Sequence, residues 1–255
     1  MEPARFPTDL LTKASSGLVL SMAGIALGVA ALFVAGVAWA RKRDRSVSAK
    51  APLVAGVGTL LWLGLWAAVA KAGILQNFDM RPPPMMLMMA ITIGLAIYVG
   101  SSSLGASLSR SLPLAVLVGA QAFRLPLELT MHRAATEGVM PTVMSYSGYN
   151  FDIVTGSSAA LVGLWLYFGK PPLWLVALWN ALGFGLLVAI GAIAVAAMPL
   201  FAAFGPDQIN LWVAYFPFVW LPVVMVWAAL LGHILVFRRL LSEYRARSQS
   251  RAVAT

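Results

Sequence analysis

Hydrophobic residues along this chain gather in long, nearly continuous runs that are separated by short polar segments. Each run approaches or exceeds the ~20 residues that a helix needs to cross a hydrocarbon core about 30 Å thick. The pattern therefore predicts an all-α fold, a polytopic transmembrane helical bundle. Its seven transmembrane helices are expected at residues 17–40, 53–75, 85–104, 112–131, 153–168, 173–198 and 211–237.

The spacing of these runs predicts one membrane domain with two short flanking segments. Residues 1–16 form an outer N-terminal segment, residues 17–237 the seven-helix domain, and residues 238–255 a basic cytoplasmic tail. Most connections are short, so neighbouring helices should pack antiparallel. The exception is the outer loop at 132–152, which a compact bundle would use as a lid, a binding element or a re-entrant segment.

Composition supports this class and removes several kinds of chemistry. Hydrophobic residues make up 60% of the 255 positions and charged residues 11%, whereas soluble domains carry charges at about a quarter of their positions. The absence of cysteine excludes disulfides, thiolate zinc sites, iron–sulfur clusters and cysteine nucleophiles.

The positive charge is concentrated on one predicted side of the membrane. If the N-terminus is outside, twelve basic residues fall on the cytoplasmic side and five on the outer side. Because basic residues collect in the cytoplasm, this bias favours an N-terminus outside and a C-terminus in the cytoplasm. Such a bias is typical of a bacterial inner membrane protein that contacts anionic lipids, and it disfavours a nucleic-acid partner. The inner residues are Arg41, Lys42, Arg43, Arg45, Lys50, Arg110, Lys170, Arg238, Arg239, Arg245, Arg247 and Arg251; the outer ones are Arg5, Lys13, Lys71, Arg81 and Arg133.

A ladder of polar residues interrupts the fourth predicted helix. Arg124, Glu128 and His132 recur every four residues, and Gln121 extends the series by one turn. At helical spacing these side chains share one face. Because hydrocarbon penalises such groups, the ladder predicts a polar groove that descends from the outer surface, with Arg124 about 13 Å deep.

The outer loop returns to the same depth with Tyr149, Asn150 and Asp152. An arginine inside a bundle needs an anionic partner, and Glu128 or Asp152 could supply it. Two structural interpretations remain open: the ion pair fixes only helix register, and Asp152 only caps the fifth helix. The candidate ligand-binding residues are Arg124, Glu128, His132, Asn150, Asp152, Gln121 and Tyr149.

Methionines and histidines bear on whether a metal binds. Nine methionines fall towards the outer side, where soft thioethers beside His132 could bind Cu(I); more often methionine fills cores. The second histidine, His233, is expected about 34 Å along the last helix, at the opposite face from His132. No metal site or cofactor is therefore predicted, with Cu(I) as the minor alternative. The nine are Met80, Met85, Met86, Met88, Met89, Met131, Met140, Met144 and Met198.

Three functions are compatible with these features. The first is binding or transport of a small anionic or amphiphilic molecule, with Arg124 as anion anchor and Glu128 as a proton-coupled partner. The second is an intramembrane enzyme for a lipid or lipid-linked substrate, with Glu128 or Asp152 as base and His132 as proton shuttle. The third is a non-catalytic subunit that docks another membrane protein or a second copy of this chain.

Overall fold

The computed structural model describes residues 13–253, which form helices and loops without any strand in that range. Residues 1–12 of the predicted outer segment and residues 254–255 of the predicted basic tail lie outside the described part. The helices are α1 (Ser16–Arg43), α2 (Ala51–Lys71), α3 (Pro84–Ser101), α4 (Ser103–Ser111), α5 (Leu114–Gly119), α6 (Arg124–Thr136), α7 (Ile153–Phe168), α8 (Leu173–Ala196) and α9 (Trp227–Val253).

Six helical segments within the described residues are long and apolar enough to cross a membrane. They are α1, α2, α3, the continuous segment Leu114–Thr136, α8, and the segment Leu221–Gln249. The fifth predicted span coincides with α7, but its 16 residues fall short of the length of the others. Large apolar side chains such as Leu60, Leu61 and Phe168 are exposed on the outside of the bundle, as expected for surfaces that face lipid.

Two of the predicted spans depart most from the structure. In the fourth, a 3-10 turn at Ala120–Phe123 separates α5 from α6. Pro126 accounts for it, because proline has no amide to donate and its ring crowds the carbonyl four residues earlier. The last span begins at a π-helical segment, Leu221–Val226, rather than at 211, and continues into α9 without a break at 238.

The termini of the described chain lie at opposite ends of the bundle. At one end, called the Ser15 end, the amide and hydroxyl of Ser15 donate to Glu137 at 2.8 and 2.7 Å, and Arg133 donates to both residues. At the other, called the Asp44 end, Arg239 of α9 donates to the carbonyl of Arg110 at 2.7 Å. The first helix therefore begins at the Ser15 end, and the last helix passes the Asp44 end at Arg239.

Asp44 joins the loop after α1 to α4. Its Oδ1 accepts from the hydroxyl of Ser46 at 2.6 Å and its Oδ2 from that of Ser107 at 2.8 Å. These bonds, together with the Ser46 amide and the charge of Arg110, lower the pKa of Asp44 to about 2. The carboxylate therefore stays charged at every physiological pH and continues to hold the Asp44 end together.

Helix α7 packs antiparallel against the fourth predicted span through two glycines. Gly156 lies directly on the backbone of Arg124 and Leu125, and Gly163 lies on the backbone of Gly119. On its other side α7 also runs antiparallel to α8, since Thr155 contacts Gly183 while Ser158 accepts from the indole of Trp179 at 2.9 Å. This close approach places Asp152, at the start of α7, beside Arg124.

Candidate functional site

A cavity of about 70 Å³ lies inside the bundle between α3, α6, α8 and the π-helical segment. Its polar lining comes from Arg124 and Glu128 of α6, from Asn150 and Asp152 of the loop before α7, and from Asn210 after α8. The remaining lining residues are apolar, with methionine the most frequent type. We call this space the carboxylate cavity.

Arg124 is held by an aspartate and a histidine within the protein. Its side chain is 1% exposed, and its Nε donates to Asp152 Oδ2 at 2.6 Å, while Nη2 contacts the same oxygen. Its Nη1 donates to His233 Nε2 at 2.8 Å. The guanidinium therefore balances one carboxylate and is oriented by a second helix.

His233 and Asn180 hold this arginine from behind. Because a guanidinium only donates, Nε2 of His233 must accept. The other ring nitrogen of His233, Nδ1, therefore carries the hydrogen and donates it in a hydrogen bond to Asn180 Oδ1 at 2.9 Å. Asn180 in turn donates to the backbone carbonyl of His233 at 3.1 Å. The network joins α6, α8 and α9 around a single buried ion pair.

The sequence left Asp152 open as a plain helix cap or as a partner of Arg124, and the geometry favours the partner. Asp152 stands at the N-cap position of α7, yet its side chain makes no capping hydrogen bond. Its backbone amide donates to Asn150 Oδ1 at 3.1 Å, which fixes the loop just before the helix. The side chain is thereby directed to Arg124.

Glu128 is the carboxylate without a cationic partner. Its side chain is 2% exposed, and Oε2 accepts from Asn150 Nδ2 at 2.7 Å. Within the described residues, no lysine, arginine or histidine nitrogen lies within ion-pairing distance of it. With Arg124 balanced by Asp152, ionised Glu128 would leave the lining of the cavity with one formal negative charge in excess.

Asn210 contributes a polar atom that has no partner. Its Nδ2 donates to the carbonyl of Ala194 at 2.9 Å, and its amide donates to that of Ala197 at 2.7 Å. Its Oδ1 is buried and accepts no hydrogen bond in the described structure. Since buried acceptors are normally satisfied, this oxygen marks a position for a donor or a cation.

The seven candidate residues from the sequence divide into two groups. Arg124, Glu128, Asn150 and Asp152 come together around the carboxylate cavity, whereas the other three lie outside it. Gln121 lines a separate apolar cavity and donates to the carbonyl of Ala229 at 3.3 Å. His132 contacts Ser145 at 2.9 Å and stacks on Tyr146, and Tyr149 is exposed beside Phe204.

Three polar residues of the site were not predicted from the sequence: His233, Asn180 and Asn210. The expectation that His233 lies at the inner face is wrong, because its ring contacts Arg124. The error follows from starting the last helix near Asn210 when it begins at Leu221. Proline at 217 and 222 was the signal for a later start, since each removes a backbone donor.

Six methionines line the carboxylate cavity, five of them among the nine singled out by the sequence and one, Met225, not. His132, the expected companion of the thioethers, is not part of the lining. Across the described residues, histidine, cysteine, aspartate and glutamate form no group of three or more that could hold a metal ion.

Comparison of the chain with protein-family models, with curated proteins and with solved structures gave no match.

Proposed function

We propose that this membrane protein binds a small cation in the carboxylate cavity, and that binding serves its transport or sensing. The observation that carries the proposal is Glu128, a buried carboxylate without a cationic partner in the described residues. A buried charge of this kind is strongly disfavoured unless a proton or a cation neutralises it. A ligand that brings one positive charge supplies that compensation.

A cation fits the cavity better than the anion that the sequence suggested. An anion anchored by Arg124 would compete with Asp152, whose Oδ2 already accepts from Nε, and with His233 at Nη1. It would also add a second excess negative charge beside Glu128. The rest of the lining is apolar, which suits a cation that has lost its water or one that carries a few carbon atoms.

The size of the cavity limits the ligand. About 70 Å³ is well below the roughly 300–1,000 Å³ of pockets that hold drug-sized molecules. A dehydrated metal ion or an ammonium compound with very few carbons is of the right scale. Long lipid-linked substrates would need an enlarged cavity, which disfavours the enzyme alternative.

For the topology, we propose seven crossings with the Ser15 end outside and the Asp44 end in the cytoplasm of a bacterial inner membrane. Support comes from α7, which packs antiparallel between two long apolar segments, and from the basic residues that gather at the Asp44 end.

Cysteine labelling tests this orientation. The chain has no cysteine, so the single variants Thr136→Cys and Lys50→Cys each carry one labelling site. Impermeant maleimide should label the first from outside the cell and the second only after lysis; the reverse pattern would contradict the orientation.

The test of function is the variant Glu128→Gln, which keeps an acceptor for Asn150 Nδ2 and removes the charge. Without added ligand, we expect this variant to be at least as stable as the wild type, because a glutamine needs neither a proton nor a cation to neutralise it. K⁺, methylammonium or Ag⁺ should raise the melting temperature of the wild type by mass action and leave that of Glu128→Gln unchanged.

Glu137→Gln is the matched control, because Glu137 is half-buried at the Ser15 end and already pairs with Arg133 at 2.8 Å. This variant should respond to the cations as the wild type does. If none of the three cations stabilises the wild type, or if Glu128→Gln responds equally, the carboxylate cavity is not a cation site.

A further inference from the structure

We propose that the cation of the carboxylate cavity is a soft monovalent metal ion of the Cu(I) class, held by methionine thioethers. This inference rests on the proposed function and names its ligand. Its basis is the lining itself: half of the twelve methionines of the chain line this one cavity.

These methionines come from separate parts of the fold. Met85 and Met89 occupy successive turns of α3, and Met131 lies one turn beyond Glu128 on α6. The others are contributed by the loop before α7, the end of α8 and the π-helical segment: Met144, Met198 and Met225. Five separate elements thus each contribute methionine to the lining of one cavity. A stripe of methionines along a single helix would not produce this arrangement.

Softness and charge select the metal together. Thioethers favour Cu(I) over hard cations such as Na⁺ or Mg²⁺, which prefer oxygen. One monovalent ion cancels the single excess charge that Glu128 leaves, whereas a divalent ion would reverse it. The unpartnered Oδ1 of Asn210 offers an additional donor atom in the same lining.

Packing alone explains less of this arrangement. Methionine is an adaptable filler of irregular cores, and the buried Met88 on α3 has that role, since it is absent from the cavity lining. Filler would account for the volume of the other six side chains. It would leave Glu128 without a cationic partner and the Asn210 oxygen without a hydrogen-bond donor in the same space.

Ag⁺ is the probe of choice because it is soft and monovalent like Cu(I) and needs no reductant. We expect the purified full-length chain in detergent to bind one Ag⁺, measured by native mass spectrometry and calorimetry. The double variant Met85→Leu/Met131→Leu, which conserves side-chain volume, should weaken binding by at least about tenfold, since losing even an outer partner of a metal ligand costs roughly 10–100-fold in affinity. Met88→Leu, the matched control, should bind as the wild type does.

The outcomes separate this inference from the proposed function. Stabilisation by methylammonium or K⁺ that depends on Glu128, with no Ag⁺ binding, would overturn the metal assignment and leave the cation site standing. Ag⁺ binding that is equal in the Met85→Leu/Met131→Leu and Met88→Leu variants would also overturn it, because the metal would then sit elsewhere. No response to any cation would remove both proposals.

Discussion

Replacing Arg124 by leucine should destabilise the protein by about 3–5 kcal/mol, the range for breaking a buried ion pair by removing one partner. The substitution leaves Asp152 buried with no cation and deprives His233 Nε2 of its donor. It also brings two uncompensated carboxylates, Asp152 and Glu128, to the lining of one cavity. Denaturant titration in detergent micelles measures the free energy of unfolding.

The control for this substitution is Arg133→Leu. Arg133 also pairs with a carboxylate, Glu137, four residues later, but its side chain is 50% exposed. Exposed pairs of this type contribute about 0–1 kcal/mol, so the control should lose no more than that. A similar loss in both variants would mean that burial of the Arg124 pair has no energetic weight.

A rescue experiment distinguishes a lost ion pair from a general packing defect, and it remains informative if Arg124→Leu does not fold. In the double variant Arg124→Leu/Asp152→Leu both charges are gone, and apolar replacements of buried pairs are often neutral or stabilising. The double variant should therefore recover most of the lost stability. Failure to recover would assign the effect to the shape of the arginine rather than to its charge.

The sequence was sufficient to predict an all-helical chain with helices apolar enough for a membrane, and it named four of the residues that line the carboxylate cavity. Long apolar runs predicted the helices. The need of a buried arginine for a carboxylate left Glu128 and Asp152 as candidate partners, and the structure pairs Arg124 with Asp152 across 28 positions. Both inferences depend on the free energy of moving a side chain out of water, which follows from the residue type alone.

Where the helix deviates from regular geometry, the sequence-based prediction was less accurate. The ladder assumed one uninterrupted α-helix, but the 3-10 turn at Ala120–Phe123 winds with about three residues per turn and directs Gln121 to a different cavity. His132 follows Arg124 by eight residues, or about 12 Å along the axis. It therefore shares the helix face yet lies beyond the cavity.

Partners from distant helices could not be predicted from spacing alone. His233 and Asn180 reach Arg124 because α8 and α9 pack against α6 in a particular rotation and depth. Those parameters depend on where each helix begins, and a start displaced by about ten residues shifts depth by some 15 Å. Asn210 was missed for the same reason, since it was assigned to the beginning of a helix.

The close approach of α7 to α6 determines whether the ion pair can form, and Gly156 controls that approach. A Cβ built at this position would overlap the backbone nitrogen of Leu125 and come within 2.8 Å of the carbonyl carbon of Arg124. These atoms belong to the backbone, so no side-chain rotation relieves the overlap. The two helices would have to separate at the level of Asp152.

Gly156→Ala should therefore lose about 1–3 kcal/mol of stability, as overpacked cores do, and should also weaken cation binding in the carboxylate cavity. Gly185→Ala is the control, because a Cβ on this exposed glycine of α8 has nothing within 4 Å. Alanine there should be neutral or stabilising, since it favours the helix. The result that would contradict this is a Gly156→Ala variant with the same free energy of unfolding and the same Ag⁺ affinity as Gly185→Ala. The contact of α7 with α6 would then not be needed to hold Asp152 against Arg124.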